Sequence, residues 1–250
     1  MHRFRQLLLL ILVTLPLRVS AQSHLVLAAE DDWYPYSAKI GSTAQGFAVE
    51  LISSAYKAVG VSVVYDVVPF SRAMAGVKSG YYAGCFNAGD GESLRLDYLV
   101  PEQALVLNQQ AVWGGLSAKP VQGYQDFEGK AVGIANAYIY SPLLTDNGKI
   151  KKDIAQTELA NLKKVALARI DYTIVDSWVA RYLILSNRAE LLGKVKQVGV
   201  LQSDKIIPVF SKTHPDGAMA RELYDQGMSI LKKDGTYDRI MKAWETKLGG

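Results

Sequence analysis

A glycine-rich loop that ends on an arginine is the first candidate for chemistry in this sequence. The run YYAGCFNAGDGESLR predicts a buried strand that breaks at Gly89-Asp90-Gly91 and ends on Arg95. A guanidinium is a planar fork that binds carboxylate or phosphate through two parallel hydrogen bonds, and glycines let backbone N–H groups approach the same anion. An arginine in a loop is, by default, an exposed charge. The loop therefore predicts either an anion site or a solvated arginine.

Acidic and aromatic side chains follow several other predicted strands. HLVLAAE leads into DDWYPYS, VSVVYDVV leads into PFSR, DYTIVD ends on an aspartate, and KAVGIAN leads into AYIYS. The side chains at these ends are Glu30, Asp31, Asp32, Trp33, Tyr34, Tyr36, Phe70, Arg72, Tyr138, Tyr140 and Asp176. Each alone is ordinary for a surface loop. Because ligands gather at the carboxyl ends of parallel strands, their succession predicts a cleft for a small charged molecule.

Alternating strands and helices position these loops. After the first strand, apolar residues recur every four positions from Phe47 to Ala58, which predicts a helix that Gly60 ends. VSVVYDVV then predicts a strand, SRAMAGVKSG a short helix and YAGCFNA a third strand. Strand, helix, strand, helix, strand at this spacing is typical of a parallel α/β unit.

The same order returns later in the chain. KAVGIAN, residues 157–168, DYTIVD and SWVARYLILSN predict strand, helix, strand and helix. Two α/β units predict two lobes rather than one large sheet. Two helices close the chain: one over about 216–233, and one with an apolar stripe at Tyr237, Ile240, Met241 and Trp244 that is typical of core packing.

The first 21 residues predict a secretory signal peptide. Arg3 and Arg5 precede an apolar run from Leu7 to Leu17, and cleavage is predicted after Ala21. The run is too short for a comfortable membrane anchor. Its removal takes away three arginines and no acids, so the formal net charge falls from +4 to +1. That balance argues against nucleic acid or anionic lipid as a partner.

The remaining composition excludes several kinds of site. Cys85, the single cysteine, cannot form an internal disulfide, and its apolar strand predicts burial. The sequence contains no metal-ligand cluster and no obvious nucleophile–base pair. We therefore expect an exported, soluble protein with no catalytic residue, no metal and no cofactor.

Six segments together carry a family resemblance. They are AAEDDWYPYS, GFAVELISSAYKAVGVSVVY, VPFSRAMAGVKSGYYAG, DFEGKAVGI, LARIDYTIVDSWVARYLI and LKKDGTYDRIMKAWE. The chain resembles the bacterial periplasmic solute-binding proteins of family 3, the amino-acid type of ABC transporter substrate-binding protein. The last segment is the most specific, because that family commonly closes on a similar Asp-Gly-Thr-Tyr-Asp stretch. The resemblance covers residues 24 to 247.

The resemblance implies a role for each candidate residue. In that family an arginine after the third strand's loop grips the ligand α-carboxylate, which points to Arg95, with Asn87 and Gly89 in the same loop. An aspartate that ends the second lobe's strand pairs with the ligand ammonium, which points to Asp176. The other ligand-binding residues it implies are Glu30 for a distal cation, Trp33 and Phe70 as aromatic walls, and Tyr138 and Tyr140 in place of small hydroxyl residues.

The resemblance also implies an architecture and a function. The expected fold class is α/β: a two-lobed periplasmic-binding-protein fold of type II, each lobe a mostly parallel sheet flanked by helices, with two hinge crossings. Lobe 1 would comprise residues 24–111 and 206–250, and lobe 2 residues 112–205. The protein would be a periplasmic monomer that captures a small amino acid or related amino or carboxylate solute and delivers it to an inner-membrane ABC permease.

The ligand class and two other functions stay open at this stage. The segment AGDGESL departs from the family pattern before Arg95, so a smaller or less ordinary carboxylate is an alternative to an amino acid. One other function is a dehydratase-like enzyme on the same scaffold, with Glu30 or Asp31 as general acid or base. The other is a free periplasmic sensor input for a membrane receptor.

Overall fold

The computed structural model describes residues 24–136 and 140–249. The predicted signal peptide, residues 1–21, and Tyr138 lie outside the described residues. Within those two ranges, no helix is long and apolar enough to cross a membrane.

The described chain forms twelve strands and nine α-helices. The strands are β1 (His24–Glu30), β2 (Asp32–Trp33), β3 (Ser37–Ile40), β4 (Thr43–Gln45), β5 (Ser62–Val68), β6 (Gly84–Gly89), β7 (Tyr98–Leu99), β8 (Val106–Gly115), β9 (Ala131–Ala135), β10 (Lys151–Ala155), β11 (Tyr172–Asp176) and β12 (Val195–Ser211). The helices are α1 (Phe47–Ala58), α2 (Phe70–Ser79), α3 (Leu94–Asp97), α4 (Pro142–Thr145), α5 (Glu158–Ala166), α6 (Ser177–Ser186), α7 (Arg188–Leu191), α8 (Gly217–Lys233) and α9 (Thr236–Lys247), with a short 3-10 helix at Tyr124–Phe127.

The main sheet contains two groups of parallel strands. Its order is β10-β9-β11-β8-β12-β6-β1-β5, with β7 paired to β12. In one group β1 is parallel to β5 and β6, and in the other β9 is parallel to β10 and β11. We call these groups, with the helices that follow their strands, the first half and the second half. A separate three-stranded sheet, β2-β3-β4, follows β1.

The two halves share one continuous hydrogen-bonded ladder, whereas a separate sheet was expected for each lobe. The difference arises because the chain crosses between the halves through β8 and β12, and these two long strands pair with each other as well as with the halves. The predicted hinge crossings, near residues 110 and 206, fall inside these strands.

The largest cluster of buried apolar side chains extends through both halves. It includes Phe47 of α1, Val179 of α6 and Tyr224 of α8. The predicted stripe of the last helix contributes Ile240 and Trp244, both buried. Two smaller clusters lie one in each half.

The α1–α8 contact makes a stability prediction. A Cβ at Gly227 would lie 2.0 Å from the carbonyl oxygen of Ala55. Helix propensity alone favours alanine over glycine by about 1 kcal/mol, but overpacking costs about 1–3 kcal/mol or more, and backbone atoms cannot move aside as a flexible side chain can. We expect Gly227→Ala to lower the free energy of unfolding in urea. Gly148→Ala, where no atom lies within 4 Å of the new Cβ, is the control and should change it by less than about 0.5 kcal/mol. Equal stability of both variants would contradict the packing described here.

Candidate functional site

The register of β8 and β12 brings the carboxyl ends of the two parallel groups toward each other. β6 ends at Gly89, which pairs with Ile206 of β12, and Ile206 pairs with Val106 of β8. β11 runs the other way and ends at Asp176, which pairs with Gln110 of β8. Measured along β8, the two ends are four residues apart, or roughly 13 Å for a strand rise of about 3.3 Å per residue, and across the sheet β8 and β12 lie between β11 and β6. In α/β sheets, the carboxyl ends of strands are where ligands bind.

Asp176 is a buried carboxylate on the second-half side of this gap. Its Oδ1 caps α6 by accepting hydrogen bonds from the backbone N–H groups of Trp178 and Val179, each at 2.9 Å. The residue is only 8% exposed, and burial raises its pKa to about 6 although these hydrogen bonds lower it. An ionised carboxylate has about four acceptor positions. The Tyr36 hydroxyl and the Gln109 backbone N–H use the other two, so Asp176 attracts a solute cation by its charge rather than through a free acceptor position.

Tyr36 joins the two halves across the gap. Its hydroxyl donates to Oδ2 of Asp176 at 3.0 Å. Its ring is fully buried and stacks on Trp33, with centroids 3.9 Å apart and planes 6° apart. Sequence reasoning noticed Tyr36 at a strand end but did not select it as a site residue, because the aromatic run DDWYPYS does not show which ring reaches the other half.

A cavity of about 90 Å³, which we call the central cavity, lies between the halves. Its lining comes from the first-half loop, the crossing strand β8 and the second half: Trp33, Asn108, Gln110, Tyr140, Glu158, Ile174, Val175 and Asp176. It brings together three residues that the sequence predicted, namely Trp33, Tyr140 and Asp176. Asn108 and Gln110 were missed because they lie on a crossing strand that the sequence pattern did not reveal.

A larger cavity of about 470 Å³, the outer cavity, shares Trp33 and Glu158 with the central one. Asp31 and Asp32 also line it, together with Lys39 of β3. Glu158 is the first residue of α5, and sequence reasoning did not select it. The acidic lining residues outnumber the basic one in this described part of the cleft.

Glu30 and Asn87 form a polar pair on the first-half side. They lie at the ends of the neighbouring strands β1 and β6, and Asn87 Nδ2 donates to Glu30 Oε2 at 3.1 Å. Burial raises the pKa of Glu30 to about 7; the Asn87 hydrogen bond opposes this rise, and the charges of Asp31 and Asp32 add to it.

Asn87 is itself unusual. It is 5% exposed, its Oδ1 has no hydrogen-bond partner within the described residues, and its φ is +77°. The left-handed region is uncommon for residues other than glycine, although asparagine enters it more readily than most. Such strain and such unmet hydrogen-bonding groups concentrate at functional sites.

Arg95 lies outside the lining of both cavities. It is part of the four-residue helix α3, and its guanidinium contacts Asp90 Oδ1 at 3.1 Å and the Gly91 carbonyl oxygen at 3.3 Å. Its side chain is 52% exposed. Gly89 is also exposed, at the end of β6. The structure thus shows Arg95 as an exposed arginine in an ion pair with Asp90, which is one of the two alternatives that the loop sequence predicts. The role of Arg95 in binding a carboxylate stays a prediction.

The remaining predicted aromatic residues have different surroundings. Phe70 begins α2 and packs, partly buried, against the smaller core cluster of the first half. The hydroxyl of Tyr140 accepts a hydrogen bond from the backbone N–H of Ala135 at 2.8 Å, and burial raises its pKa to about 12. Tyr140 therefore faces the central cavity as a protonated phenol.

Glu30 and Asp31, the residues considered as general acid or base, have few of the contacts that catalysis requires. A carboxyl group that titrates near neutral pH, as Glu30 does, meets one requirement of a general acid. Its hydrogen-bond partner, however, is the Asn87 amide, which is not a nucleophile. In residues 24–136 and 140–249, no group of three or more His, Cys, Asp or Glu side chains is placed to hold a metal ion. Cys85 is buried, as predicted, and burial raises the pKa of its thiol.

A cavity of about 450 Å³ lies at the opposite end of the second half. Lys119, Lys130 and Arg169 line it together with Asp171. Asp171 immediately precedes β11, whereas Asp176 ends that strand, so this basic cavity is remote from the facing strand ends.

Comparisons with known proteins complete the description of the site. No protein-family model matches the sequence, and no curated protein matches it. Among solved structures, a histidine kinase sensor domain with similarity to periplasmic binding proteins matches with a TM-score of 0.69 and 20% identity, over 88% of this chain and 95% of that one.

Two amino-acid-binding structures match similarly. The second substrate-binding domain of a putative amino acid ABC transporter from Streptococcus pneumoniae has a TM-score of 0.70 and 19% identity, over 88% of this chain and 99% of that one. An ancestral arginine-binding protein bound to arginine has a TM-score of 0.67 and 20% identity, over 88% and 97%. The predicted fold class is confirmed: the chain has the two-lobed α/β fold of the periplasmic binding proteins.

Proposed function

We propose that this protein binds a small solute between its two halves and passes it on chemically unchanged. The observation that carries the proposal is the central cavity, in which the buried carboxylate of Asp176 and the ring of Trp33 come from opposite halves. A solute in that cavity touches both halves at once. It therefore binds the closed arrangement better than an open one and shifts the population toward closure.

The crossing strands β8 and β12 support a hinged movement, and the contacts between the halves are those of the closed arrangement. Beside the Tyr36–Asp176 hydrogen bond, Phe47 packs on Trp178 with ring centroids 5.3 Å apart, and Tyr34 packs on Tyr182 at 4.5 Å. These rings lie on α1, on the first-half loop and on α6. Two strands that cross between two α/β halves fit hinge closure around a ligand.

The finer parts of the proposal extend the sequence analysis. The solute is a small amino acid or related amino or carboxylate compound, and the recipient is an inner-membrane ABC permease. The protein acts as a periplasmic monomer after loss of residues 1–21, with lobe 1 formed by 24–111 and 206–250 and lobe 2 by 112–205. Fold similarity to substrate-binding domains of an amino acid ABC transporter supports this version.

A sensor role is the second candidate, and the similarity to a histidine kinase sensor domain favours it. Both roles need the same solute site, but they differ in the consequence of removing the protein. Loss of the gene should stop uptake of the radiolabelled solute in the transport case. In the sensor case uptake persists and the transcriptional response to the solute disappears.

A thermal-shift screen tests the proposed function. The exported protein is heated with each of the 20 amino acids, with small amines and with small carboxylates. A true ligand should stabilise it by about 2.7 kcal/mol at a hundredfold excess over Kd. Mass spectrometry after several hours should return that ligand unchanged. A panel with no stabilising solute would contradict the binding proposal, and a converted product would favour an enzyme.

A further inference from the structure

The basic cavity at the opposite end of the second half is built from three separate segments. Lys119 follows β8, Lys130 precedes β9, and Arg169 lies in the loop that leads into β11. Strand pairing holds these segments together, because Tyr172 at the start of β11 pairs with β9 on one side and with β8 on the other. The fold therefore brings cations from three different parts of the sequence to one cavity.

The turn that carries Lys119 is positioned by its backbone. The Tyr172 hydroxyl donates a long hydrogen bond of 3.5 Å to the carbonyl oxygen of Lys119. A Cβ at Gly114 would lie 2.5 Å from the Cβ of Ala118, so a glycine at this position lets the turn fold back on the strand. Next to it, Gly115 lines the cavity, and no atom lies within 4 Å of where its Cβ would be. The backbone thus leaves the cavity open, whichever way the flexible lysine side chains turn.

The cations of the basic cavity lack partners that other basic side chains of the second half have. The ion pairs formed by those others include Lys149–Glu128, Lys163–Glu190 and Lys164–Asp153. Among residues 24–136 and 140–249, the side chains of Lys119, Lys130 and Arg169 have no ion pair and no hydrogen bond. The acid in the described lining is Asp171, whose Oδ2 accepts from the backbone N–H of Ala131 at 2.8 Å. Three free cations and one carboxylate give the cavity a formal charge of +2.

The second half as a whole has an excess of positive charge. Residues 112–205 contain 13 basic and 9 acidic side chains, a formal net charge of +4, whereas the rest of the chain from residue 22 onward has a net charge of −3. The small net charge of the whole chain after the predicted cleavage conceals this asymmetry. An anion near the second half is therefore attracted by its overall field as well as by the three cations.

The size and lining of the basic cavity fit a small organic molecule. Its volume of about 450 Å³ lies within the range of about 300–1,000 Å³ that is usual for small-molecule sites. Three buried apolar or aromatic residues line it beside the cations, namely Val165, Ile170 and Tyr172. A ligand with an anionic group and an apolar part makes favourable contacts with both kinds of lining.

We propose that the basic cavity is a second ligand site, which binds the phosphate group of a small organic molecule. A phosphate monoester is close to a dianion at neutral pH and offers three strong acceptor oxygens, which match the charge of the cavity and the donors of Arg169, Lys119 and Lys130. A carboxylate has one charge and two oxygens. The inference goes beyond the proposed function and does not depend on it, because the cavity lies where β11 begins and the solute site lies where β11 ends.

Calorimetry in phosphate-free buffer at pH 8 tests the inference with phenyl phosphate, inorganic phosphate and benzoate. Phenyl phosphate should bind the exported protein at least about tenfold more tightly than benzoate, which has the same ring and a smaller charge. It should also bind more tightly than inorganic phosphate, which has no apolar part. Equal affinity for benzoate and phenyl phosphate, or no binding of either phosphate, would overturn the inference.

The pH dependence gives a second test. Phenyl phosphate should bind more weakly at pH 5 than at pH 8, because the second pKa of a phosphate monoester is about 6, while lysine and arginine keep their charge over this range. Affinity that is equal at the two pH values would contradict the match between a dianion and the cavity.

Two triple variants locate the phosphate. Each exposed cation alone contributes little, so the three are replaced together: Lys119→Gln, Lys130→Gln and Arg169→Gln. This variant should bind phenyl phosphate at least about tenfold more weakly than wild type. The control removes the same charge at exposed lysines of α1, α8 and α9: Lys57→Gln, Lys233→Gln and Lys242→Gln. The control should bind normally, and equal weakening in both variants would overturn the assignment to the cavity.

Further measurements separate this site from a membrane surface and from the solute site. The protein should sediment with phosphatidylglycerol vesicles no more than with phosphatidylcholine vesicles. Sedimentation with phosphatidylglycerol that the cavity variant loses, without binding of either free phosphate, would assign the site to a lipid headgroup and overturn the small-molecule ligand. Asp176→Asn should keep its affinity for phenyl phosphate, and its loss would contradict a separate site. Failure of this inference leaves the proposed function standing, because the thermal-shift screen tests that function by itself.

Discussion

Asparagine at position 176 is expected to weaken solute binding by about 2–5 kcal/mol, which is about 30-fold or more, while the protein stays folded. Asp176 is 8% exposed, so a solute ammonium that pairs with it does so away from water. Removing one charge of such a pair leaves the other buried without a partner. The prediction holds for an amine and for an amino acid, because both carry an ammonium group.

The fold should tolerate Asp176→Asn because the local hydrogen bonds can persist. An asparagine oxygen can still cap α6 at the N–H groups of Trp178 and Val179. The hydroxyl of Tyr36 can accept from the new amide as readily as it donates to the carboxylate. Asp238→Asn, at an exposed position in α9, controls for the loss of one acidic charge. Calorimetric affinities that agree between Asp176→Asn and wild type would remove Asp176 from the site.

Glutamine at position 30 is expected to stabilise the ligand-free protein at pH 8 by about 1–3 kcal/mol, at 1.36 kcal/mol for each unit of pKa difference. The pKa of Glu30 is raised from 4.5 to about 7, chiefly by burial. A carboxyl group with a higher pKa when folded binds its proton more tightly in the folded state. Its contribution to stability is therefore present at low pH and is lost as the pH rises from about 4.5 to about 7.

Asp176 contributes to the pH dependence with the same sign, because its pKa is raised to about 6. The groups near Glu30 are the Asn87 amide, which lowers its pKa, and the carboxylates of Asp31 and Asp32, which raise it. The Glu30→Gln variant lacks the contribution of Glu30 to the pH dependence of stability and keeps the contribution of Asp176. The ligand-free wild type should thus lose stability between pH 5 and pH 8, and the variant should lose less.

Urea unfolding at pH 5, 6, 7 and 8 measures this difference, with Glu128→Gln as control. Hydrogen bonds from Lys149 and Asn147 lower the pKa of Glu128, so its replacement should not produce the gain at pH 8. A wild type whose stability is constant over this range, or a Glu30→Gln variant that is less stable at pH 8, would contradict the burial of a charged Glu30. A gain in stability when a buried ionisable side chain is replaced is typical of a functional site, where function is kept at the expense of stability.

The regular elements could be predicted from the sequence because their patterns are local. The predicted helix over Phe47 to Ala58 matches α1 at both ends. The apolar stripe of the last helix lies on α9, and the glycine that follows Asp234 has the left-handed φ of a helix end. DYTIVD forms β11 with Asp176 at its end, as the placement of an acid after a β-branched run predicts.

The site was less predictable because its contacts are between distant segments. The crossing strands β8 and β12 pair residue 106 with 206, and no local periodicity reveals that register. Tyr36 meets Asp176 across 140 positions of sequence. Arg95, the residue that the loop pattern favoured most, is held by Asp90 five positions before it, and a pattern cannot show which partner a flexible arginine selects.

Hydrogen exchange with and without the ligand found in the screen tests the central claim, that one solute contacts both halves at the facing strand ends. The account predicts slower exchange in two separate segments, residues 30–36 of the first half and residues 174–179 of the second. It predicts no change at residues 117–119 and 168–171, which line the remote basic cavity. Protection confined to one half, or centred on the basic cavity, would contradict it.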